Sequence, residues 1–230
     1  MQSMLLSIII PAFNEAAFLP EVIRRVDETP YEKEIIIIDD GSTDGTREFL
    51  KGLSQDKARV IFHEKNMGKG AALKSGISLA TGDIIIVQDA DLEYDPKDYP
   101  TLLGPILDGK ADVVYGSRFL GGPHRVLLFW HSVGNALITL LSNIFTDLNL
   151  TDMETGYKAF SKKVLETITI ESNRFGVEPE ITAKVAKKGF RIYEVPISYS
   201  GRSYQDGKKI TWKDGVKALF TIVKFNLFRR

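Results

Sequence analysis

The sequence contains a pair of carboxylates where a divalent cation could be held. Asp89 and Asp91 follow the apolar run Ile84–Val87 directly, and Glu93 comes two residues later. Side chains two residues apart on an extended chain point to the same side, so these carboxylates can share one ion. Mg²⁺ and Mn²⁺ prefer such oxygen ligands and keep positions open for phosphate oxygens. For two aspartates in an arbitrary context, a solvated acidic turn would be the better interpretation. The position of Asp89 and Asp91 at the end of an apolar strand favours the cation site.

Two other segments carry residues suited to a nucleotide. Asp39 and Asp40 end a second apolar run, where a carboxylate can accept hydrogen bonds from a ribose or a base. The stretch Asp39–Thr46 is also a good strand-to-helix turn with Ser and Thr caps. The stretch Asn66–Gly70, which includes Lys69, precedes a predicted helix, and the N-terminus of a helix favours anions. A plain turn is the alternative interpretation of this glycine-rich stretch.

Charge is distributed unevenly along a chain whose net charge is zero. Residues 81–100 contain six acidic residues and one basic residue, whereas residues 201–230 contain eight basic residues and two acidic ones. We therefore expect a cation at the first segment and an anion at the second. Arg118, Arg202 and Lys208 are the basic residues best suited to phosphate groups. The balanced total charge argues against nucleic acid as a partner.

The elements that must position these residues alternate between strands and helices. Four apolar runs without polar alternation predict strands that are buried on both faces: Leu5–Ile10, Ile35–Ile38, Ile84–Val87 and Ala111–Tyr115. Helical patterns lie between them, which predicts a mainly parallel α/β sheet over about the first 120 residues. Ligands of such sheets bind beyond the carboxyl ends of the strands, and the acidic clusters fall there.

The second half of the chain is less regular. The segments Val126–Phe145 and Glu180–Lys188 are predicted helices, and Arg191–Tyr199 is a predicted strand whose Pro196 indicates an edge position or a strand end. Trp212–Leu227 is a predicted amphipathic helix with basic residues. It could lie on an anionic membrane surface or pack on the domain. The apolar segment Val126–Phe145 is a candidate interface between copies of the chain.

Several classes of protein are excluded or disfavoured. The absence of cysteine excludes disulfides, thiolate metal sites and cysteine nucleophiles. The first ten residues have no basic region typical of a signal peptide, and no run approaches the ~20 apolar residues of a membrane span. The cytoplasm is therefore the expected compartment, with a peripheral position on the cytoplasmic face of the membrane as an alternative. Motifs of Walker A, dinucleotide-binding and G-x-S-x-G type are absent.

Four blocks of residues, in this order and spacing, resemble family 2 glycosyltransferases: Pro11–Glu15, Ile38–Thr46, Asn66–Gly70 and Gln88–Leu92. The branch that synthesises dolichyl- or polyprenyl-phosphate sugars is the most similar, on the evidence of Gly116–Phe119, Glu194–Ile197 and the pair Arg202 and Lys208. The resemblance implies a GT-A fold, a nucleotide-sugar donor linked to UDP or GDP, and a divalent metal. We expect a glycosyltransferase domain at residues 1–210, divided near residue 120 into donor and acceptor halves, and a C-terminal helix at 211–230.

The resemblance also implies roles for individual residues. The base and ribose pocket would be lined by Pro11, Phe13, Glu15, Ile38 and Asp40. Asp89 and Asp91 would meet the metal and the diphosphate, with Glu93 as a third candidate ligand. The other expected contacts to the nucleotide sugar or to phosphates are Lys69, Ala90, Arg118, Arg202 and Lys208. Asp152 matches a block near the acceptor, so that Asp89, Asp91, Asp152 and Arg118 form the expected catalytic group.

The expected reaction is transfer of a hexose with inversion at the anomeric carbon. A polyprenyl phosphate acceptor is already anionic and needs positioning more than a general base. A hydroxyl acceptor requires a base, for which Asp152 or Glu178 are the candidates. Three alternatives stay open: extension of a polysaccharide, a nucleotide-sugar-binding module without turnover, and a nucleotidyltransferase. The last is disfavoured because Pro11–Glu15 stands where its glycine-rich loop should be.

Overall fold

The fold is built on one seven-stranded sheet with helices on both faces. The computed structural model describes residues 4–121, 125–126, 129–202 and 212–228, with the backbone alone at 212 and 213. Lys208 and most of the predicted basic segment around it lie outside the described residues. The elements in chain order are β1 Leu6–Ala12, α1 Leu19–Asp27, β2 Lys33–Asp39, α2 Thr46–Lys51, β3 Arg59–Phe62, α3 Lys69–Ile77, β4 Ile84–Val87, α4 Tyr99–Leu107, β5 Val113–Ser117, α5 Phe129–Thr146, β6 Lys158–Ser161, α6 Lys162–Thr167, α7 Val177–Lys187, β7 Ile192–Pro196 and α8 Trp212–Val223.

The strand order is β3-β2-β1-β4-β6-β5-β7. Strands β3, β2, β1 and β4 are parallel to one another, and β5 is parallel to β7. Strand β6 runs antiparallel between β4 and β5 and joins the two parallel groups. The carboxyl ends of β1, β2 and β4 therefore meet at one edge of the sheet, where the acidic residues follow the strands.

The sheet is buried on both faces because its strands β1, β2 and β4 consist mainly of apolar residues. In β1, Ile8 and Ile10 pack into one core with α1 and α4, while Ile9 points into the other core with α3 and α7. All three side chains are fully buried. This explains why the strands read as continuous apolar runs, since a strand covered by helices on both faces has no polar side.

The prediction of a mainly parallel α/β sheet is confirmed, and Pro196 ends the edge strand β7 as expected. Strand β6 was not predicted. Its sequence from Lys158 to Ser161 is short and contains only one large apolar side chain, so no run or alternation marks it. Helix α7 begins at Val177, three residues before the predicted start, because Pro179 fits in the first turn of a helix.

Helix α8 packs against α5 and α7, and a π-helical turn, Lys224–Phe228, continues it. Its buried side chains are Ala218, Ile222 and Phe225, the last of these in the π-helical turn. Within the described part of the chain, no helix combines the length and the apolar character needed to cross a membrane.

Candidate active site

Asp89 lies just beyond the end of β4 and is bonded to a lysine of the glycine-rich segment. The Lys69 Nζ atom, at the start of α3, is 2.8 Å from Asp89 Oδ1 and 3.6 Å from Glu178 Oε1. Burial opposes the charge of Lys69, but the two carboxylates prevail and raise its pKa above the ordinary value. A Cβ added to Gly156 would lie 2.5 Å from Asp89 Oδ2 and 2.7 Å from Lys69 Nζ. The absence of a side chain at Gly156 thus leaves room for this ion pair.

A second cluster gathers three carboxylates around one arginine. The Arg202 guanidinium donates hydrogen bonds to Glu15, at 3.0 and 3.2 Å, and to Asp91 Oδ2, at 2.9 Å. Glu93 accepts from the Arg202 backbone N–H at 2.8 Å and from the Tyr199 hydroxyl at 2.7 Å. We call Glu15, Asp91, Glu93 and Arg202 the Arg202 cluster. Its members come from the end of β1, the end of β4 and the segment after β7, which the fold brings to one place.

The negative charge of this region exceeds what Arg202 neutralises. Burial, together with the nearby charges of Asp89 and Glu93, raises the pKa of Asp91 to about 7, although Arg202 acts in the opposite direction. An added cation would relieve this crowding. Among the described residues, no three acidic or histidine side chains form a ready-made metal cage. Mg²⁺, however, is commonly held by one or two carboxylates with phosphates and waters, and the pair Asp89 and Asp91 fits that mode of binding.

The predicted acidic residues after β2 are engaged within the chain. Asp39 is fully buried and accepts a hydrogen bond from Arg47 Nε at 2.6 Å. Asp40 accepts from the backbone N–H groups of Met67, at 3.0 Å, and Gly68, at 2.7 Å, and pairs with His63 Nδ1 at 2.7 Å. Asp40 therefore holds the glycine-rich segment in place, and its contact with a nucleotide stays a prediction.

The glycine-rich segment itself is packed against a distant part of the chain. A Cβ on Gly70 would collide with the backbone carbonyl oxygen of Ser172, and the Ala71 N–H donates to the Asn173 carbonyl at 3.0 Å. The glycine is therefore required for the close approach of two backbones, while the side chain of Lys69 reaches the site.

Arg118 and Asp152 form a bidentate ion pair on the other side of the site. Arg118 Nε lies 2.6 Å from Asp152 Oδ2, and Nη2 lies 2.7 Å from Oδ1. Asp152 is fully buried, and Asn135 on α5 also donates to it at 3.3 Å. Burial opposes the charge of Arg118, but Asp152 outweighs it and raises the pKa of Arg118 well above the ordinary value. The structure thus joins two residues that sequence analysis named separately.

Three charged residues beside this pair form a buried group, of which sequence analysis named only Glu178. Lys158, buried on β6, forms an ion pair with Glu178 and donates to the Met153 carbonyl at 3.1 Å. The Oε1 atom of Glu154 is buried and has no hydrogen-bond partner. Burial, with repulsion from Glu178, raises the pKa of Glu154 to about 8. No sequence signal indicated Lys158 or Glu154, because strand β6 itself was not predicted.

The remaining predicted contact residues differ in exposure. Pro11 and Phe13 are half-buried near the carboxyl end of β1. Ala90 is buried between Asp89 and Asp91, and Ile38 is fully buried in the core beneath α3. The roles of these four residues at a nucleotide stay predictions.

Comparison with known proteins identifies relatives along most of the chain. The sequence model described as "Glycosyl transferase family 2" matches residues 7–169. The chain is 31% identical to the undecaprenyl-phosphate mannosyltransferase of Micrococcus luteus, over 87% of this chain and 85% of that protein. It is 28% identical to the polyprenol monophosphomannose synthase of Mycolicibacterium smegmatis, over 96% of this chain and 86% of that protein.

Among solved structures, the fold resembles that of the glucosyl-3-phosphoglycerate synthase of Mycobacterium tuberculosis, crystallised with Mn²⁺, UDP and phosphoglyceric acid. The TM-score is 0.77 and the sequence identity 22%, over 97% of this chain and 79% of that one. This likeness shows that the chain has the GT-A fold.

Proposed function

The chain belongs to glycosyl transferase family 2 and is a glycosyltransferase, and we propose that it moves a hexose from a UDP- or GDP-linked sugar to a polyprenyl phosphate. Two relatives at about 30% identity carry names that include such a lipid phosphate. The observation that carries the proposal is the state of the two candidate bases. Asp152 is bonded to Arg118, and Glu178 to Lys158. A site without a free base at these positions suits an acceptor that is already anionic.

The donor side of the proposal rests on the acidic edge of the sheet. Asp89 and Asp91, with Glu93 as a further candidate, would hold Mg²⁺ or Mn²⁺ together with the diphosphate of the donor. When bound, such an ion stabilises the negative charge that develops on the leaving diphosphate. Lys69 contributes a fixed positive charge beside Asp89, and Arg202 contributes one beside Asp91.

The acceptor side rests on Arg118, whose orientation is fixed by Asp152. An oxygen of the acceptor phosphate would attack the anomeric carbon from the side opposite the diphosphate. The new carbon–oxygen bond forms as the bond to the diphosphate oxygen breaks, which inverts the configuration. No proton has to be removed from a phosphate that is ionised near neutral pH. The chain's task in this step is therefore to bind, orient and neutralise charge.

The organisation of the chain is part of the same proposal. Residues 1–210 would form the catalytic domain, with donor binding before about residue 120 and acceptor binding after it, and residues 211–230 would form the C-terminal helix. A peripheral position at the cytoplasmic face of a membrane follows, because a water-soluble nucleotide sugar and a lipid phosphate would meet there.

Two measurements test the proposal. A thermal-shift panel of UDP- and GDP-sugars, with and without Mn²⁺, should show one donor that raises the melting temperature, since a ligand of the folded state stabilises it. Transfer of labelled sugar to a polyprenyl phosphate should then fall at least about a hundredfold in Asp91→Asn. Asp108→Asn, which changes an exposed carboxylate immediately after α4, is the matched control. Near-normal transfer by Asp91→Asn would refute the role of the acidic pair, and donor binding without any transfer would favour a binding module.

One observation favours a second candidate, transfer to a hydroxyl acceptor. Glu154 has an unpartnered buried oxygen and a pKa of about 8, which is suited to a general base close to neutral pH. Glu154→Gln should abolish transfer to a hydroxyl acceptor and leave transfer to a polyprenyl phosphate nearly unchanged. A screen of both acceptor classes with the parent chain and this variant distinguishes the two functions.

A further inference from the structure

Helix α5 exposes large apolar side chains on the side that faces away from the domain, in addition to Ile138, Leu141 and Phe145, which pack partly buried against the core. Thr139 and Ser142, which are polar and small, are buried against the rest of the chain. The opposite side exposes five large apolar residues, spaced as one helical face, with exposed fractions between 56% and 78%: Phe129, Trp130, Leu137, Leu140 and Ile144. We call these five residues the α5 face. A surface helix of a globular protein normally carries charged and polar residues on its outer face.

The apolar surface continues onto α8, which packs beside α5. Val216 and Phe220 are exposed on α8, whereas Ala218 and Ile222 are buried on its other side. Both helices thus present apolar side chains away from the core of the domain. Contiguous apolar surface of this extent marks a docking site, because exposing it to water is unfavourable.

The polar side of α5 touches the candidate acceptor site. Asn135 lies on the inner side of the helix, 3.4 Å from Arg118 Nη2, and it also contacts Asp152. The diameter of a helix with its side chains is about 10–12 Å, so roughly this distance separates Arg118 from the α5 face. Phe119 and Leu120, the residues that follow Arg118, are exposed and apolar as well. A charged phosphate site and an apolar outer surface therefore lie on opposite sides of one helix.

We propose that the α5 face, together with the exposed apolar side of α8, docks the enzyme on the surface of an anionic lipid bilayer, so that Arg118 faces the phosphate group of a membrane lipid. The inference rests on the proposed lipid acceptor, whose phosphate is polar and whose tail must remain in an apolar medium. Lys217 on α8 and Lys224 in the turn that continues it are exposed by 65% and 50% and make long ion pairs, of 3.9 Å with Asp214 and 4.0 Å with Glu171. They supply positive charge beside the apolar side of α8 that complements anionic lipids. The exposed rings of Phe129 and Trp130 suit the boundary between headgroups and acyl chains.

Vesicle flotation tests the proposal without reference to activity. The full chain should float with vesicles of equal parts phosphatidylcholine and phosphatidylglycerol, and less well with phosphatidylcholine alone. The double variant Leu137→Glu/Leu140→Glu should lower the partition coefficient onto the anionic vesicles at least about tenfold, which corresponds to 1.4 kcal/mol. Leu107→Glu, which places one glutamate at a 53% exposed leucine of α4, should float like the parent chain. Melting curves establish that both variants are folded.

A second measurement leaves the leucines intact. In the variant Trp212→Phe, Trp130 is the sole tryptophan, and its fluorescence should be quenched by vesicles that contain doxyl-labelled lipid. The proposal is overturned if the parent chain binds neither vesicle, if the leucine double variant binds as well as the parent, or if Trp130 in Trp212→Phe is not quenched. It is also overturned if light scattering finds a dimer that the leucine variant dissociates while vesicles bind neither protein, since a second copy would then cover the face.

The outcome is separable from that of the proposed function. Transfer to a short, water-soluble polyprenyl phosphate, measured without vesicles, tests the acceptor alone. Such transfer without vesicle binding would refute the docking surface and leave the function standing. Vesicle binding that depends on the α5 face, without transfer to any polyprenyl phosphate, would support the docking surface and refute the function.

Discussion

Two arginines at the candidate site are both surrounded by carboxylates, yet the two arrangements differ in kind. Arg118 makes a bidentate pair with one fully buried partner, Asp152. Arg202 is shared among Glu15, which follows β1, and Asp91 and Glu93, which follow β4, and its Nε lies 3.6 Å from Glu93, beyond hydrogen-bond length.

The difference indicates two tasks for the same type of side chain. A bidentate pair with a single buried partner fixes a guanidinium in one orientation. A guanidinium that neutralises several crowded carboxylates can give up its position to another cation. The carboxylates are then neutralised by the incoming cation, so none of them is left as an unpaired buried charge. Arg118 is therefore a preorganised group, whereas Arg202 acts as an internal counter-ion for the acidic edge of the sheet.

The largest effect should come from breaking the Arg118 pair. Asp152→Asn leaves a buried guanidinium without its counter-ion, which costs about 3–5 kcal/mol. A thermal melt should show a fall of about 10 °C for a chain of this size. Asp108→Asn, which removes an exposed partner of Lys110, should change the melting temperature by less than about 2 °C. Equal melting temperatures for the two variants would mean that Arg118 does not depend on Asp152.

Removing Arg202 should affect function more than stability. In Arg202→Ala, sugar transfer should fall about a hundredfold, or 2.7 kcal/mol, because a positive charge at the proposed diphosphate site is lost. Binding of Mn²⁺ alone, measured by calorimetry, should become tighter since a competing cation is gone. Arg24→Ala, which breaks exposed pairs on α1, serves as the control. Weaker Mn²⁺ binding in Arg202→Ala would contradict the counter-ion role.

Glu154 sharpens the comparison, because Asp152 takes the hydrogen bonds of Arg118 and the Oε1 atom of Glu154 is left without a partner. Its pKa of about 8 in the folded chain lies above the ordinary value of 4.5. The folded state therefore holds the proton more tightly, and stability is lost as the pH rises from about 4.5 through about 8. Glu154→Gln removes this loss, so its melting temperature should exceed that of the parent by several degrees at about pH 9 and by little at about pH 5, an effect on the order of 2 kcal/mol.

The control for this pH series is Glu166→Gln, which changes an exposed carboxyl on α6. The difference in melting temperature between this variant and the parent should not vary with pH. A similarly constant difference for Glu154→Gln would show that the carboxyl of Glu154 titrates normally.

The smallest effect should come from disturbing Asp89 without touching either arginine. The atoms nearest to the added methyl group of Gly156→Ala belong to the ends of two side chains, Asp89 and Lys69, so the fold should tolerate it. Displacement of that ion pair should lower transfer about tenfold, or 1.4 kcal/mol, with a melting temperature within about 2 °C of the parent. Gly104→Ala on α4, where an added Cβ meets no atom within 4 Å, should leave transfer unchanged. Normal transfer by Gly156→Ala would mean that the position of Asp89 is not critical.

The sequence was sufficient to predict the parallel core and the edge where the site lies. Apolar runs such as Ile84–Val87 mark strands that are covered on both faces. Because these strands are parallel, the residues that follow them lie at the same edge of the sheet. Strand β6 was not predictable in this way, because four residues with one large apolar side chain form a strand only when β4 and β5 are already beside them.

The partners within the site could not be predicted either. Arg202 and Glu15 are 187 residues apart in sequence, and Asp40 and Gly68 are 28 apart. The types of these residues indicated acidic and basic groups suited to a metal and to phosphates. Which of them would neutralise one another depends on distances that no spacing along the chain encodes.

The contact between the glycine-rich segment and residues 172–173 has a consequence for how ligands enter. It joins the two halves of the chain by backbone contacts next to the site, and one of these contacts is the hydrogen bond from the Ala71 N–H to the Asn173 carbonyl. A hinge motion that separates the two halves would have to break these backbone contacts. We therefore expect ligands to reach the acidic edge by separating the Arg202 side chain from Glu15 and Asp91, with the contact at residues 172–173 kept intact.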